Sequence, residues 1–488
     1  MHFDKFSGQR AMRPLEFAGM IAVMLTSLGT YFPGHKRWIA IFALIVTFVT
    51  FSMQVFWEGP RWQMVPLYLS ALFLGIGSLS AGQAAGRIQL TAVLASLIFA
   101  VAGVSLCEAL PVFSFPEPTG KYGVGTQVRH LVDQNLLEPH VRGAKAPREL
   151  MIQIWYPAER GDREARSAYR DRRTTSFWTS QLSLVRTNAV VDVPIVPARK
   201  ETGGYPVLLF SPSWSGQRVQ NTFQVEELAS HGYIVVAMDH PYGTEATVFP
   251  DGRVVRTTIG GGEDYSSAAA FEEFLRKAND ETKTRARDVQ FVLDTLEKWN
   301  SADPQGLLTG QIRLTSIGIF GHSLGGTVAI QACWLDPRLK AALDMDGMVA
   351  AESATEGAKK PVLFMMEESL VAPGASLEGI SEQRRRTVEF NRAQDKLMKA
   401  SLARYGGYWL VVAGTTHKNF SDSPLFSPLK FLSGAGKTDP RRVFRIANAY
   451  SLAFFDKYLK QEDSHLLDGD SQNFPEVQLQ AWEDKKVH

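Results

Sequence analysis

Thr315-Ser316-Ile317-Gly318-Ile319-Phe320-Gly321-His322-Ser323-Leu324-Gly325-Gly326-Thr327 is the stretch on which the fold turns. Its first six residues, with Ile317, Ile319 and Phe320, predict a buried strand, and Thr327–Cys333 predicts the start of a helix. Between them lies Gly-x-Ser-x-Gly, the strand–turn–helix arrangement of a nucleophile elbow. A serine at that turn is held in a strained backbone conformation. Glycines two residues to either side leave room for neighbouring backbone. The helix N-terminus behind the serine favours negative charge developing on it. A glycine-rich turn with a merely capping serine has the same letters, but the flanking strand and helix favour Ser323 as a nucleophile.

Outward from this turn, short apolar runs alternate with amphipathic segments. Strands are expected at Leu150–Tyr156, Pro206–Phe210, Tyr233–Met238, Ser316–Phe320, Ala341–Met345, Pro361–Met365 and Tyr408–Val412. Near-continuous apolar runs of this kind belong to a parallel sheet covered on both faces. Helices are expected at Arg287–Asn300, Ser381–Tyr405 and Pro440–Leu459. In the first of these, Val289, Val292, Leu293, Leu296 and Trp299 share one face. The alternation predicts an α/β fold with a mostly parallel sheet flanked by helices.

The N-terminal part has a different character. The uncharged stretches Phe17–Gly34, Trp38–Trp57, Trp62–Gly86 and Ile88–Cys107 are each long enough to cross about 30 Å of hydrocarbon as a helix. Trp38, Trp57 and Trp62 sit at their ends, where interfacial aromatics belong. Residues 1–110 are therefore expected to be an all-α unit of four transmembrane helices, with both ends on one side. The spans lack a run of ionisable groups that would mark an ion path, with Glu16 only at the edge of the first. Lys5, Arg10, Arg13 and Arg61 on one side stand against Lys36, Arg37 and Arg87 on the other. This tally, with Lys121 and Arg129 beyond the last span, slightly favours a multi-pass membrane protein whose catalytic part is cytoplasmic. The Pro- and Gly-rich residues 111–125 read as a linker. Residues 126–462 read as the catalytic domain and 463–488 as a polar tail.

Composition narrows the partners. The 488-residue chain carries a net charge of +2, which gives no reason to expect nucleic acid. Its two cysteines, Cys107 and Cys333, lack zinc-ligand spacing and are too few and too differently placed to suggest a disulfide framework.

A serine hydroxyl needs a base, and the base needs an orienting carboxylate. Behind an elbow the chain order runs serine, acid, histidine. His417 follows the late strand Tyr408–Val412, whereas His465 and His488 lie beyond the closing helix. Two acids, Asp344 and Asp346, end the strand after the elbow helix. Alternation sends both to the same face, so periodicity does not separate them. Asp346 lies nearer the carboxyl end, where active sites of such sheets gather, and is favoured. Asp344 reads as buried and structural, or as a group supporting the site from behind.

From about residue 116 to 460 the sequence resembles the platelet-activating factor acetylhydrolase family. The resemblance is carried by Pro118-Thr119-Gly120-Lys121-Tyr122-Gly123-Val124-Gly125, Ile154-Trp155-Tyr156-Pro157, Glu227-Leu228-Ala229-Ser230-His231-Gly232-Tyr233, Gly321–Gly326, Leu343–Gly347 and His417-Lys418-Asn419-Phe420-Ser421-Asp422. It implies an α/β-hydrolase fold and a triad of Ser323, Asp346 and His417. It also implies calcium-independent cleavage of short or oxidised acyl esters of phospholipids. The oxyanion hole would use the backbone N–H groups of Leu324 and, by match, Trp214. Two departures stand out. Pro212-Ser213 occupies the place of the family's usual His-Gly, and Glu367–Gly407 is longer than the usual connection. The latter reads as a lid, a headgroup-facing surface or a solvated helix face. The four-span unit is absent from the secreted members.

The expectation is a membrane-anchored serine ester hydrolase acting on a lipid or small ester, with no metal or organic cofactor. A soluble ester, lactone, thioester or polyester is the alternative substrate. A membrane sensor with a vestigial hydrolase domain is the alternative of another class.

Overall fold

The computed structural model describes residues 12–31, 37–80, 85–141, 143, 145–160, 166–259, 264–368 and 379–483. The expected charges Lys5, Arg10 and Lys36, and His488, lie outside these residues. The chain divides into two compact units. One comprises Met1–Ser114 with Ala168–Arg186 and Leu425–Ser433, and the other comprises the remainder.

In the first unit, four helices span Pro14–Tyr31, Arg37–Met53, Val65–Leu79 and Ala85–Ala109. A π turn extends the second to Glu58, and a 3-10 turn at Trp62–Met64 opens the third. Among the described residues, three helices are long and apolar enough to cross a membrane: Trp38–Glu58, Trp62–Leu79 and Gly86–Ala109. The first of the four expected spans falls on the apolar helix Pro14–Tyr31, which is not among these three. The unit's outer faces are apolar; Phe42, Phe48 and Ile98 are all more than two-thirds exposed. Its interior packs Val23, Phe51, Met64, Leu67, Leu74 and Cys107. Hydroxyl pairs bridge neighbouring helices, Thr26 to Thr47 at 3.1 Å and Ser70 to Ser96 at 2.8 Å.

Glu16 is not a marginal charge in this unit. Its carboxylate accepts from Arg61 Nε and Nη2 at 2.8 and 2.7 Å and from Arg13 Nη2 at 2.7 Å, and both Glu16 and Arg61 are buried. Two segments that the sequence assigned to the catalytic domain also belong here. Trp62 packs against Phe177 and Trp178 with ring centroids 5.1 and 5.2 Å apart, and Gln63 donates to Gln181 at 3.1 Å. Aromatic packing and a buried amide pair thus draw Ala168–Arg186 out of the domain expected at 126–462.

The second unit is built on strands β1 (Gly123–Leu137), β2 (Pro147–Ala158), β3 (Arg166–Ala168), β4 (Arg186–Val191), β5 (Tyr205–Ser211), β6 (Ile234–Asp239), β7 (Ala246–Val248), β8 (Val254–Arg256), β9 (Ile312–His322), β10 (Leu339–Met345), β11 (Val362–Glu367), β12 (Gly407–Val412) and β13 (Val477–Trp482). Eleven of them form one sheet in the order β13-β12-β11-β10-β9-β5-β6-β2-β1-β4-β3, and β7 pairs with β8 separately. The six strands from β12 to β6 run parallel. β2 and β13 join them antiparallel at the two sides. All seven expected strands lie in this sheet. The expected polar tail is corrected: β13 pairs with β12 along its length, from Val412 opposite Val477 to Gly407 opposite Trp482.

Helices cover the parallel core. Ala268–Ala302 packs on Leu324–Leu335, and Thr222–Ser230 packs on Pro440–Phe455 through the Phe223–Phe444 ring stack at 4.0 Å. The buried cluster joins Val207, Leu209, Val236 and Ile319 of the sheet to Val289, Val292, Leu296 and Val328 of the helices. This is the α/β-hydrolase arrangement. The residues read as a linker are in part fixed to the second unit: Thr119 N–H donates to Glu227 at 2.9 Å, and Tyr122 N–H donates to Ser230 O at 3.1 Å. A Cβ on Gly120 would fall 2.2 Å from the Ser230 carbonyl oxygen, so that chain approach requires glycine.

Candidate active site

Parallel strands deliver their carboxyl ends to one rim, and the residues singled out above gather there. β9 ends at His322, and the helix Leu324–Leu335 begins one residue after Ser323. Ser323 has φ 58° and ψ −129°, a conformation that L residues rarely adopt and that sharp functional turns sustain. Its N–H donates to Met345 O at 2.8 Å. The close turn explains the flanking glycines. A Cβ on Gly321 would lie 2.2 Å from the Gly325 backbone, and one on Gly325 would lie 1.9 Å from Ser211 O.

β10 is followed by Asp346, whose φ of 58° turns the chain out of the strand. Its Oδ2 lies 2.6 Å from His417 Nδ1, and its Oδ1 accepts from Glu367 N–H at 2.9 Å. The carboxylate is fully buried and the imidazole is 40 % exposed, so the histidine faces the pocket while its partner is sequestered. Asp344 goes elsewhere. Its Oδ1 accepts from Gly347 N–H at 2.8 Å beneath Gly326, and burial pushes its carboxyl well above the usual carboxylate range.

His417 opens a short 3-10 turn after β12. Asn419 Oδ1 accepts from Thr416 N–H at 2.9 Å and from Gly436 N–H at 2.8 Å. Asn221 donates to Phe420 O at 2.8 Å, and Asp422 accepts from Thr222 N–H at 2.9 Å. The motif after the histidine therefore anchors its loop to the start of the helix Thr222–Ser230.

The sequence alone gives no role to His322 or Gln220. Gln220 Oε1 accepts from Ser213 N–H at 2.8 Å, and its Nε2 donates to His322 Nδ1 at 2.7 Å. His322 Nδ1 is then the acceptor nitrogen, and Nε2–H donates to His417 O at 2.8 Å. Burial, reinforced by the neighbouring His417, pulls His322 well below the ordinary histidine range and keeps it neutral. One amide thereby ties the Ser213 loop to the His417 loop. The sequence signal was the histidine within the elbow itself.

The pocket encloses about 480 Å³ and is lined by Ser323, Asp346 and His417 together with Leu324, Trp214, Phe274, Phe390, Met366 and Trp409, among others. Leu324 opens its helix, so its N–H has no intrahelical acceptor. Around Trp214, Ser213 N–H is committed to Gln220 and Ser215 N–H donates to Gly243 O at 3.1 Å. The long helix Glu382–Tyr405, within the stretch that departs from the family pattern, supplies Phe390, Gln394 and Met398 to the pocket wall. Residues 369–378 of that stretch lie outside the described residues. Asp463, His465 and Asp468 cluster elsewhere and are exposed.

Comparison with known proteins agrees with this architecture. The family model for platelet-activating factor acetylhydrolase, isoform II, matches residues 113–474. A protein of Arthroderma benhamiae named "Probable 1-alkyl-2-acetylglycerophosphocholine esterase" is 24 % identical over 417 residues, covering 78 % of this chain and 98 % of that one. The platelet-activating factor acetylhydrolase of Gallus gallus is 23 % identical over 280 residues, 52 % of this chain and 62 % of its own length. Among solved structures, a ferulic acid esterase from Streptomyces cinnamoneus superposes with a TM-score of 0.59 at 27 % identity, covering 74 % of this chain and 97 % of that one. An α/β-hydrolase sheet, an ester-hydrolase structural neighbour and a family match over most of its length place this chain in the platelet-activating factor acetylhydrolase, isoform II, family of carboxylic ester hydrolases.

Proposed function

We propose that the chain is a membrane-anchored serine esterase that removes short acyl groups from glycerophospholipids through Ser323, Asp346 and His417. The observation that carries the reading is the 2.6 Å contact of His417 Nδ1 with the buried Asp346 carboxylate, in the same pocket as the strained Ser323.

In the first step Ser323 Oγ bonds to the ester carbonyl carbon while its proton passes to His417 Nε2. Asp346 holds the ring by Nδ1 and stabilises the imidazolium. The carbonyl oxygen becomes an oxyanion facing the N–H groups of Leu324 and Trp214, each worth on the order of 3 kcal/mol in the transition state. The tetrahedral carbon then expels the alkoxide of the lysolipid, which takes the proton from His417. This leaves an acyl group on Ser323. Water repeats the sequence, giving its proton to His417 and releasing the carboxylic acid and free serine.

The apolar helices Trp38–Glu58, Trp62–Leu79 and Gly86–Ala109 support anchoring in a bilayer. A family whose relatives carry acetylglycerophosphocholine names supports the lipid substrate. A second reading, a soluble aryl ester, is favoured by the aromatic wall of Trp214, Phe274, Phe390 and Trp409 and by the ferulic acid esterase neighbour. Detergent-solubilised full chain presented with a 2-acetyl glycerophosphocholine and with an aryl ester decides between them. Preferred turnover of the phospholipid, lost in Ser323→Ala, is the expected result; turnover of the aryl ester alone overturns the lipid assignment.

A further inference from the structure

We propose that Arg285 is a positioning residue for the oxyanion hole, fixing the direction of the Trp214 N–H; this rests on the serine-esterase reading above. Arg285 lies on the helix Ala268–Ala302 and is 1 % exposed. Its Nη1 donates to Pro212 O and to Ser213 O, both at 3.1 Å, and its Nη2 donates to Gly243 O at 3.2 Å. One guanidinium thus gathers three backbone carbonyls of the loops that border the pocket.

The Ser213 carbonyl and the Trp214 N–H belong to the same peptide group. In a planar trans peptide the C=O and N–H vectors point in opposite directions. With the carbonyl drawn to Arg285, rotation of that plane is blocked, and the N–H is held pointing away from the guanidinium. Trp214 and Ser323 line one pocket, so this plane sets the second oxyanion donor. Gln220 clamps the preceding peptide through Ser213 N–H at 2.8 Å. Gly243 O accepts from both Arg285 and Ser215 N–H, and a Cβ on Gly243 would lie 2.7 Å from Arg285 Nη2. The neighbouring loop is therefore shaped to admit the arginine.

The charge itself is held from behind. Glu281 Oε2 accepts from Arg285 Nε at 3.2 Å, and Glu281 Oε1 lies 2.6 Å from His140 Nε2. A fully buried guanidinium is an expensive way to fill a core, since an apolar side chain of the same volume is often at least as stable. Its planar donor set does what an apolar side chain cannot, which is to orient several carbonyls at once. The departure at Pro212-Ser213 falls on the two carbonyls that Arg285 grips.

The test uses the full chain in detergent, with Arg285→Lys and Glu281→Gln, each checked for folding by its melting temperature. Steady-state kinetics with a p-nitrophenyl ester are compared with inhibition by a trifluoromethyl ketone, whose adduct with serine carries the oxyanion. The expected result is a fall in kcat of roughly 10- to 100-fold with KM little changed, and a parallel weakening of the ketone. Glu281→Gln should lose less than Arg285→Lys. If Arg285→Lys does not fold, Glu281→Gln is read alone. A folded variant with wild-type kcat and wild-type ketone affinity overturns the proposal. Failure of the underlying esterase reading is distinct, because the wild-type chain itself would then neither turn over the ester nor bind the ketone.

Discussion

Asp344 and Asp346 stand two positions apart at the end of one strand, yet only Asp346 meets His417, at 2.6 Å. Alternation alone would put both side chains on one face. The positive φ at Asp346 takes it out of the pleat and swings its carboxylate to the histidine loop, while Asp344 stays beneath the elbow. The two substitutions should therefore separate. Asp346→Asn should lower kcat by roughly 10⁴-fold, since the amide no longer favours the tautomer and charge that His417 needs. Asp344→Asn replaces a carboxyl whose charged form burial disfavours and should leave kcat close to wild type. Steady-state kinetics on the two purified variants check this pair.

Gln220 joins the Ser213 loop to the His417 loop by way of His322. Gln220→Leu leaves Ser213 N–H and His322 Nδ1 without their partner, and each buried polar group left unpaired costs about 1–3 kcal/mol. The expected outcome is a lower melting temperature and roughly a tenfold loss of kcat. A Gln220→Glu variant with an unchanged pH profile would count against a tie through His322.

The elbow tolerates no side chain at Gly325. A methyl group there would sit 1.9 Å from Ser211 O, which is backbone and cannot swing aside. Gly325→Ala should shift the turn, lower the melting temperature and abolish turnover. Wild-type melting and activity in that variant would contradict the geometry described for Ser323.

His140 gives the protein a pH dependence of known sign. Burial opposes its charged form, but the carboxylates of Glu138 and Glu281 outweigh burial and raise its pKa from 6.5 to about 9. Arg148, 3.5 Å from Nδ1, works against that rise, and the Tyr242 ring stacks alongside. The folded protein holds this proton more tightly than the unfolded chain. Its contribution, on the order of 3 kcal/mol, is full below about pH 6.5 and is lost as pH rises through about 9. Thermal melting from pH 6 to 10 should show that decline, and His140→Gln should flatten it.

Much of this architecture can be read from local pattern. The apolar run, glycines and helix around Ser323 mark the elbow because each reports a local constraint: burial, close backbone approach and a positive φ. The seven expected strands are the inner ones, where both faces are buried. β1 and β13 escape the same reading because their residues alternate with exposed polar ones, as in Gln478 and Gln480. β13 is also an edge strand paired on one side only. The excursion Ala168–Arg186 was hidden because Trp62 and Phe177 are far apart in sequence. Arg285 left one trace. It shares a helical face with Val289, Val292 and Leu296, and an arginine on an otherwise apolar stripe needs buried partners. Those partners, the carbonyls of Pro212 and Ser213, lie more than 70 residues away and carry no sequence signature.

Every step of the proposed chemistry starts from Ser323 as the nucleophile. Treating the full chain with a fluorophosphonate and mapping the adduct by peptide mass spectrometry tests it most directly. The expected result is one adduct, on Ser323, with loss of ester hydrolysis in step with labelling and neither labelling nor turnover in Ser323→Ala. An adduct on another residue, or full turnover by Ser323→Ala, would contradict it.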